Sequence, residues 1–156
     1  MLQKKYVMEK IFRVSFLFFF SFILMPSYAV GEKKDFSYSI SERHWKPVIE
    51  AIIQVESNGK CNARCGASVG VMQITPIFVA ECNNILKLRK SKRRYKLSDR
   101  MSRQKSIEMF LLFQSWFNPK NDVELAIRSW NGGMNYSVKR TQQYFNKVMK
   151  ILKNNH

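Results

Sequence analysis

Histidine and cysteine are scarce in this chain: His44 and His156 are the only histidines, and Cys61, Cys65 and Cys82 the only cysteines. The Cys61/Cys65 spacing could open a zinc site, but such a site needs further sulfur or nitrogen ligands close by, and none follow. No metal is expected. Six glycines and four prolines in 156 residues exclude a collagen-like or low-complexity chain. The apolar run from Val14 to Met25 has 12 residues, short of the roughly 20 that cross a bilayer as a helix. There is no internal repeat and no alternating strand pattern. Acidic residues are also few, 11 against 27 Lys and Arg, for a formal charge of +16.

What is present begins with a processing signal. Lys4, Lys5, Lys10 and Arg13 precede the apolar run, and Ser27-Tyr28-Ala29 offers small residues where a signal peptidase cuts. Residues 1–29 are therefore expected to be a secretory signal peptide. No cysteine lies near that site, so a bacterial lipid anchor is not expected. Loss of four basic residues and Glu9 takes the charge from +16 to +13, which favours an anionic partner. The remaining 127 residues, Val30 to His156, suit one domain with one core. In an oxidising compartment the three thiols allow one bridge in any of three pairings, with one thiol left over.

Residues 30–43 are polar and read as a loose leader. From Trp45 the spacing becomes helical: at 100° per residue Val48, Ile49, Ile52 and Val55 fall between about −80° and +40°, while Glu50 and Gln54 point away. Ser57-Asn58-Gly59 reads as a helix stop, and residues 57–75 as a long loop rich in small residues. Thr75-Pro76 looks like an N-cap and first helical position for a helix carrying Phe78, Val79, Cys82, Ile85 and Leu86. Between 87 and 105 ten of nineteen residues are Lys or Arg and only Asp99 opposes them. A helix over 106–117 buries Ile107, Phe110, Leu111 and Phe113. Asn121 with Glu124 suggests a capping box for a short helix through Trp130, stopped at Asn131-Gly132-Gly133. A last helix over 136–152 turns Val138, Tyr144, Phe145, Val148, Met149 and Leu152 inward. The expected class is all-α, mainly helical, with a single globular domain over 44–152 that carries the basic insert 87–105.

One residue breaks the pattern. Glu56 falls at about +20°, in the middle of the apolar stripe of the first helix. Burial and the negative end of the helix dipole both disfavour its ionised form, as a general acid requires.

Glu56-Ser57, then Gly70-Val71-Met72-Gln73-Ile74, then Ser129-Trp130-Asn131-Gly132-Gly133 resembles the catalytic domain of the soluble lytic transglycosylases, in the lysozyme-like superfamily. That family shows Glu-Ser closing a helix, a Gly-Leu-Met-Gln loop and an Ala-Tyr-Asn-Ala-Gly segment. Thr141-Gln142-Gln143-Tyr144 resembles its later Thr-x-x-Tyr element, whose tyrosine comes close to the catalytic carboxyl. Val71 stands for Leu and Ser129-Trp130 for Ala-Tyr, substitutions that keep apolar character, and the basic insert belongs to none of the motifs. The resemblance implies a lysozyme-like fold with Glu56 as catalytic acid and base. It implies Ser68, Met72, Gln73, Asn131 and Tyr144 in contact with substrate, and Ser57, Gly70, Trp130 and Gly133 as supports. It also implies cleavage of the β-1,4 bond between N-acetylmuramic acid and N-acetylglucosamine in peptidoglycan, with a 1,6-anhydro product and no cofactor.

Glycan strands in the periplasm or outside the cell are then the expected partner, and a cell-envelope secretion or conjugation apparatus is a candidate second one. A monomer is expected, with no membrane attachment after signal cleavage. The residues leave other readings open. A hydrolytic lysozyme would use a second carboxylate, and none stands in the loop beside Glu56. A non-catalytic wall-binding module would use the charge alone. A nucleic-acid-binding module would use the basic stretch, but export and the lone Tyr95 argue against it.

Overall fold

A computed structural model describes residues 36–154; the expected signal peptide and the leader up to residue 35 lie outside the described residues. The described residues form one compact unit, and its class is all-α, as expected. Helix α1 spans Phe36–Ser57, α2 Pro76–Leu88, α3 Arg103–Phe117, α4 Val123–Gly132 and α5 Val138–Asn154. A two-residue antiparallel hairpin, β1 Arg64–Cys65 and β2 Ser68–Val69, interrupts the loop after α1, and a 3₁₀ turn over Leu97–Met101 precedes α3.

The apolar stripe of α1 is the floor of the core. Trp45, Val48, Ile49 and Ile52 are buried, while Gln54 is exposed. Helix α5 packs on α1 and on α4, and α3 packs on α1 and α2. Aromatic rings run through the interior in edge and tilted contacts: Phe117 meets Phe113, Phe113 meets Phe78, Phe78 meets Trp130, Trp130 meets Phe110, and Phe110 meets Trp45, with centroids 4.7–5.7 Å apart. Such geometry suits the ring quadrupoles and adds to the gain from burial.

Local chemistry sets the helix starts. Thr75 caps α2 by accepting from the Phe78 amide at 3.2 Å, with Pro76 at the first helical position. Ser102 caps α3. Four expectations need correction. Residues 36–43 of the expected leader are helical, because extending a helix nucleated by the buried stripe costs little even for a polar segment. The supposed loop 57–75 contains the hairpin. The cap of α4 is Asp122, accepting from the Leu125 amide at 2.9 Å, not Asn121. Asn121 is held at φ 55° in a turn that the Asn118 side chain closes on both backbone groups of Asp122. The last helix starts at Val138, two residues late, and Val138 itself is 56% exposed.

Arg128 joins α4 to α5 from inside. Its guanidinium is buried, bonds Glu124 at 2.6 Å, Thr141 at 3.1 Å, Gln142 at 3.0 Å and the Val138 carbonyl at 3.2 Å, and lies 4.2 Å from the Phe145 ring centre. With its donors engaged, this cation rigidifies the packing of the helix that carries Tyr144.

Candidate active site

Glu56 lies in the last turn of α1, half-buried. The Tyr144 hydroxyl, reaching across from α5, donates to Glu56 Oε1 at 2.7 Å. The Trp130 side chain, whose only polar group is its indole N–H, is a second donor. Burial pushes the Glu56 carboxyl above the usual glutamate range, and the two donors pull it partly back. Burial, then the Glu56 charge and the bond to it, push the Tyr144 phenol upward, so it stays a donor.

Ser57 closes α1 and ties it to the next loop. Its hydroxyl donates to the Val71 carbonyl at 2.8 Å, with the Ile53 carbonyl 3.2 Å away. That loop turns at Gly70, φ +80°, whose amide donates to the Ala63 carbonyl at 2.9 Å. Gln73 follows at φ 50°, its Nε2 folded back onto the Gly70 carbonyl at 2.8 Å. Beneath it Val71, Met72 and Ile74 are buried in the core. The loop therefore hangs on the end of α1 that carries Glu56.

The basic insert supports the same loop. The Arg100 guanidinium, in the 3₁₀ turn, donates to the carbonyls of Leu97 at 2.9 Å, Ala67 at 3.0 Å and Ile74 at 3.2 Å. The Arg100 carbonyl presses on Gly70. Tyr95 is buried, and its backbone is clipped by both ends of the Asn83 amide, at 2.8 and 2.9 Å. Residues 87–105 are thus a strap fixed at Tyr95 and Arg100.

The structure brings Glu56, Tyr144 and Trp130 together and connects Ser57, Gly70 and Gln73 to them through the loop. Ser68 is half-buried on β2, facing Cys65 in the hairpin register. Met72 has no exposed surface, so it supports the loop and does not touch a ligand. Asn131 is exposed on the last turn of α4, and Gly133 is the C-cap. Gly132 lets α4 and α5 close up: a Cβ there would lie 2.8 Å from Thr141 and Tyr136. Cys61 and Cys65 are exposed, whereas Cys82 is buried, and burial with the nearby Glu81 charge pushes its thiol up to about 12. Among the described residues no group of three or more His, Cys, Asp or Glu could hold a metal ion.

Sequence reading missed Arg100 and Arg128. Nothing in the basic stretch distinguishes Arg100 from the other nine basic residues, and Arg128 precedes the Ser129–Gly133 motif by one residue without belonging to it. No family model matches the chain, and no curated protein matches it. The arrangement itself offers one carboxyl biased toward its protonated form, with two neutral donors on it. That set can give and take back a proton.

Proposed function

We propose that this protein cleaves peptidoglycan glycan strands as a lytic transglycosylase, with Glu56 as its single acid and base. The observation that carries the reading is the half-buried Glu56 carboxyl, raised in pKa and held by Tyr144 at 2.7 Å. Among the described residues no second carboxylate is one of the groups that act on Glu56, which supports it further. The groups that tune Glu56 are a tyrosine and a tryptophan. Glu50, Glu108 and Glu124 are ion-paired to arginines, and Asp99 and Asp122 cap helix starts.

In the proposed reaction Glu56 gives its proton to the glycosidic oxygen, the bond from C1 of N-acetylmuramic acid breaks, and N-acetylglucosamine leaves with a free 4-hydroxyl. The substrate's own N-acetyl oxygen closes on C1. Its C6 hydroxyl then displaces that oxygen and returns a proton to Glu56, leaving a 1,6-anhydro end. The substrate so replaces the second carboxylate and the water that hydrolysis requires. The lysozyme-like fold, the exported location and the glycan partner belong to the same reading, supported by the Glu-Ser, Gly-Val-Met-Gln and Trp-Asn-Gly-Gly segments together.

Mass spectrometry of digested peptidoglycan tests the reaction. The expected products run one water lighter than those of a hydrolytic muramidase, and reducing ends alone would assign hydrolysis. Tyr144→Phe is expected to lower kcat/KM roughly 10- to 100-fold, the range for losing a hydrogen bond to a charged group. Because that bond lowers the Glu56 pKa, its loss should move the alkaline limb of the pH–rate profile to higher pH.

A further inference from the structure

The basic strap does more than hold the Gly70 loop, because most of its charge faces elsewhere. Between residues 87 and 98 there are seven Lys and Arg and no acidic residue. The segment runs along the outer face of α3. Arg89 bonds Ser115 at 2.9 Å and lies over the Trp116 ring at 5.4 Å. Arg93 and Lys105 both pair with Glu108, at 2.7 and 3.0 Å. Phe110, which packs toward Trp130 and the Glu56 site, stands about 200° around the helix from Glu108. The basic face is therefore turned away from the side of α3 that faces the site, and a glycan held at Glu56 would not use it.

Apolar side chains stand among these cations. Leu88 is 65% exposed and Trp116 is 40% exposed, next to Lys87, Arg89 and Lys90. A phosphate polymer has no use for an exposed leucine. A bilayer with anionic headgroups uses both features, since cations meet the headgroups while tryptophan and leucine enter the interfacial layer. We propose that this face docks the protein on an anionic phospholipid surface, with Leu88 and Trp116 as apolar contacts and Lys87, Arg89, Lys90 and Lys92 as the charge. The attachment is peripheral: among the described residues no helix is long and apolar enough to cross a membrane. It departs from the expectation of no membrane attachment after signal cleavage.

The test uses the chain from Val30 onward, because the apolar run before it would bind any vesicle and the described core lies between Trp45 and Leu152. Co-sedimentation is measured with phosphatidylcholine vesicles, and with vesicles carrying about 30% phosphatidylglycerol, the charge that attracts basic segments. Binding is expected only to the second, with loss at high salt. Trp45 is fully buried and Trp130 packs against the core, so binding should blue-shift tryptophan emission, and Trp116→Phe should remove the shift. The Lys90→Glu/Lys92→Glu pair should weaken binding at least tenfold, and Leu88→Ser should weaken it with no change in melting temperature. Equal binding to both vesicles would overturn the proposal. So would vesicle binding without a blue shift, or binding to polyphosphate or nucleic acid with neither vesicle sedimenting. None of these readouts involves glycan cleavage, so the proposal stands or falls apart from Glu56.

Discussion

Glu56→Gln is expected to lower peptidoglycan cleavage by roughly 10²- to 10⁴-fold, the contribution of a positioned general acid, while glycan binding persists. The amide keeps the size of the carboxyl and an oxygen to accept from Tyr144, but it has no proton to give to a leaving group. The same change should make the fold more stable at neutral pH. Burial raises the Glu56 pKa in the folded state above its unfolded value, so its contribution is complete below the unfolded pKa and is lost as pH rises through the raised one. A neutral glutamine avoids that loss. Melting measured at pH 4 and pH 8 should show the gain over wild type at pH 8 only. Surviving cleavage by the variant would remove Glu56 from the mechanism.

Gly70→Ala should be the most destabilising single-methyl change near the site, by about 3 kcal/mol or more, because it adds a steric collision to backbone strain. The added carbon would lie 1.9 Å from the Arg100 carbonyl oxygen, a backbone atom of the 3₁₀ turn that cannot rotate away. Gly59 is the control. Its φ of +79° nearly equals the +80° of Gly70, but a carbon added there meets nothing within 4 Å. Gly59→Ala should therefore cost only the left-handed strain, about 1–2 kcal/mol. Chemical denaturation of both variants separates the two effects. If Gly70→Ala costs no more than Gly59→Ala, the Arg100 turn does not press on the loop as described.

The difference between these glycines marks where sequence reading stops. Both look like turn glycines, and only the fold reveals that residue 100 arrives behind residue 70. Periodicity served well where burial is local: the Trp45–Val55 stripe, the Thr75-Pro76 start and the buried Ile107, Phe110, Leu111 and Phe113 were all legible. Glu56 was legible for the same reason, as a charge on the wrong side of a helix. Capping was less so, since Asn121 and the neighbouring Asp122 are both good cap residues and the turn made by Asn118 decides between them. Val138 fits the inner pattern of its helix but lies in the first turn, beyond the reach of the core. The contact of Tyr144 with Glu56 spans 88 residues of sequence. No spacing rule gives it, and it entered only through the Thr-x-x-Tyr resemblance.

The central claim is that Glu56 keeps its proton at pH values where an ordinary glutamate has lost it. NMR titration of the Glu56 side-chain carboxyl carbon, assigned by comparison with Glu56→Gln, reads this directly. The expected midpoint lies above the usual glutamate range and rises further in Tyr144→Phe. A midpoint at or below the ordinary value would contradict it.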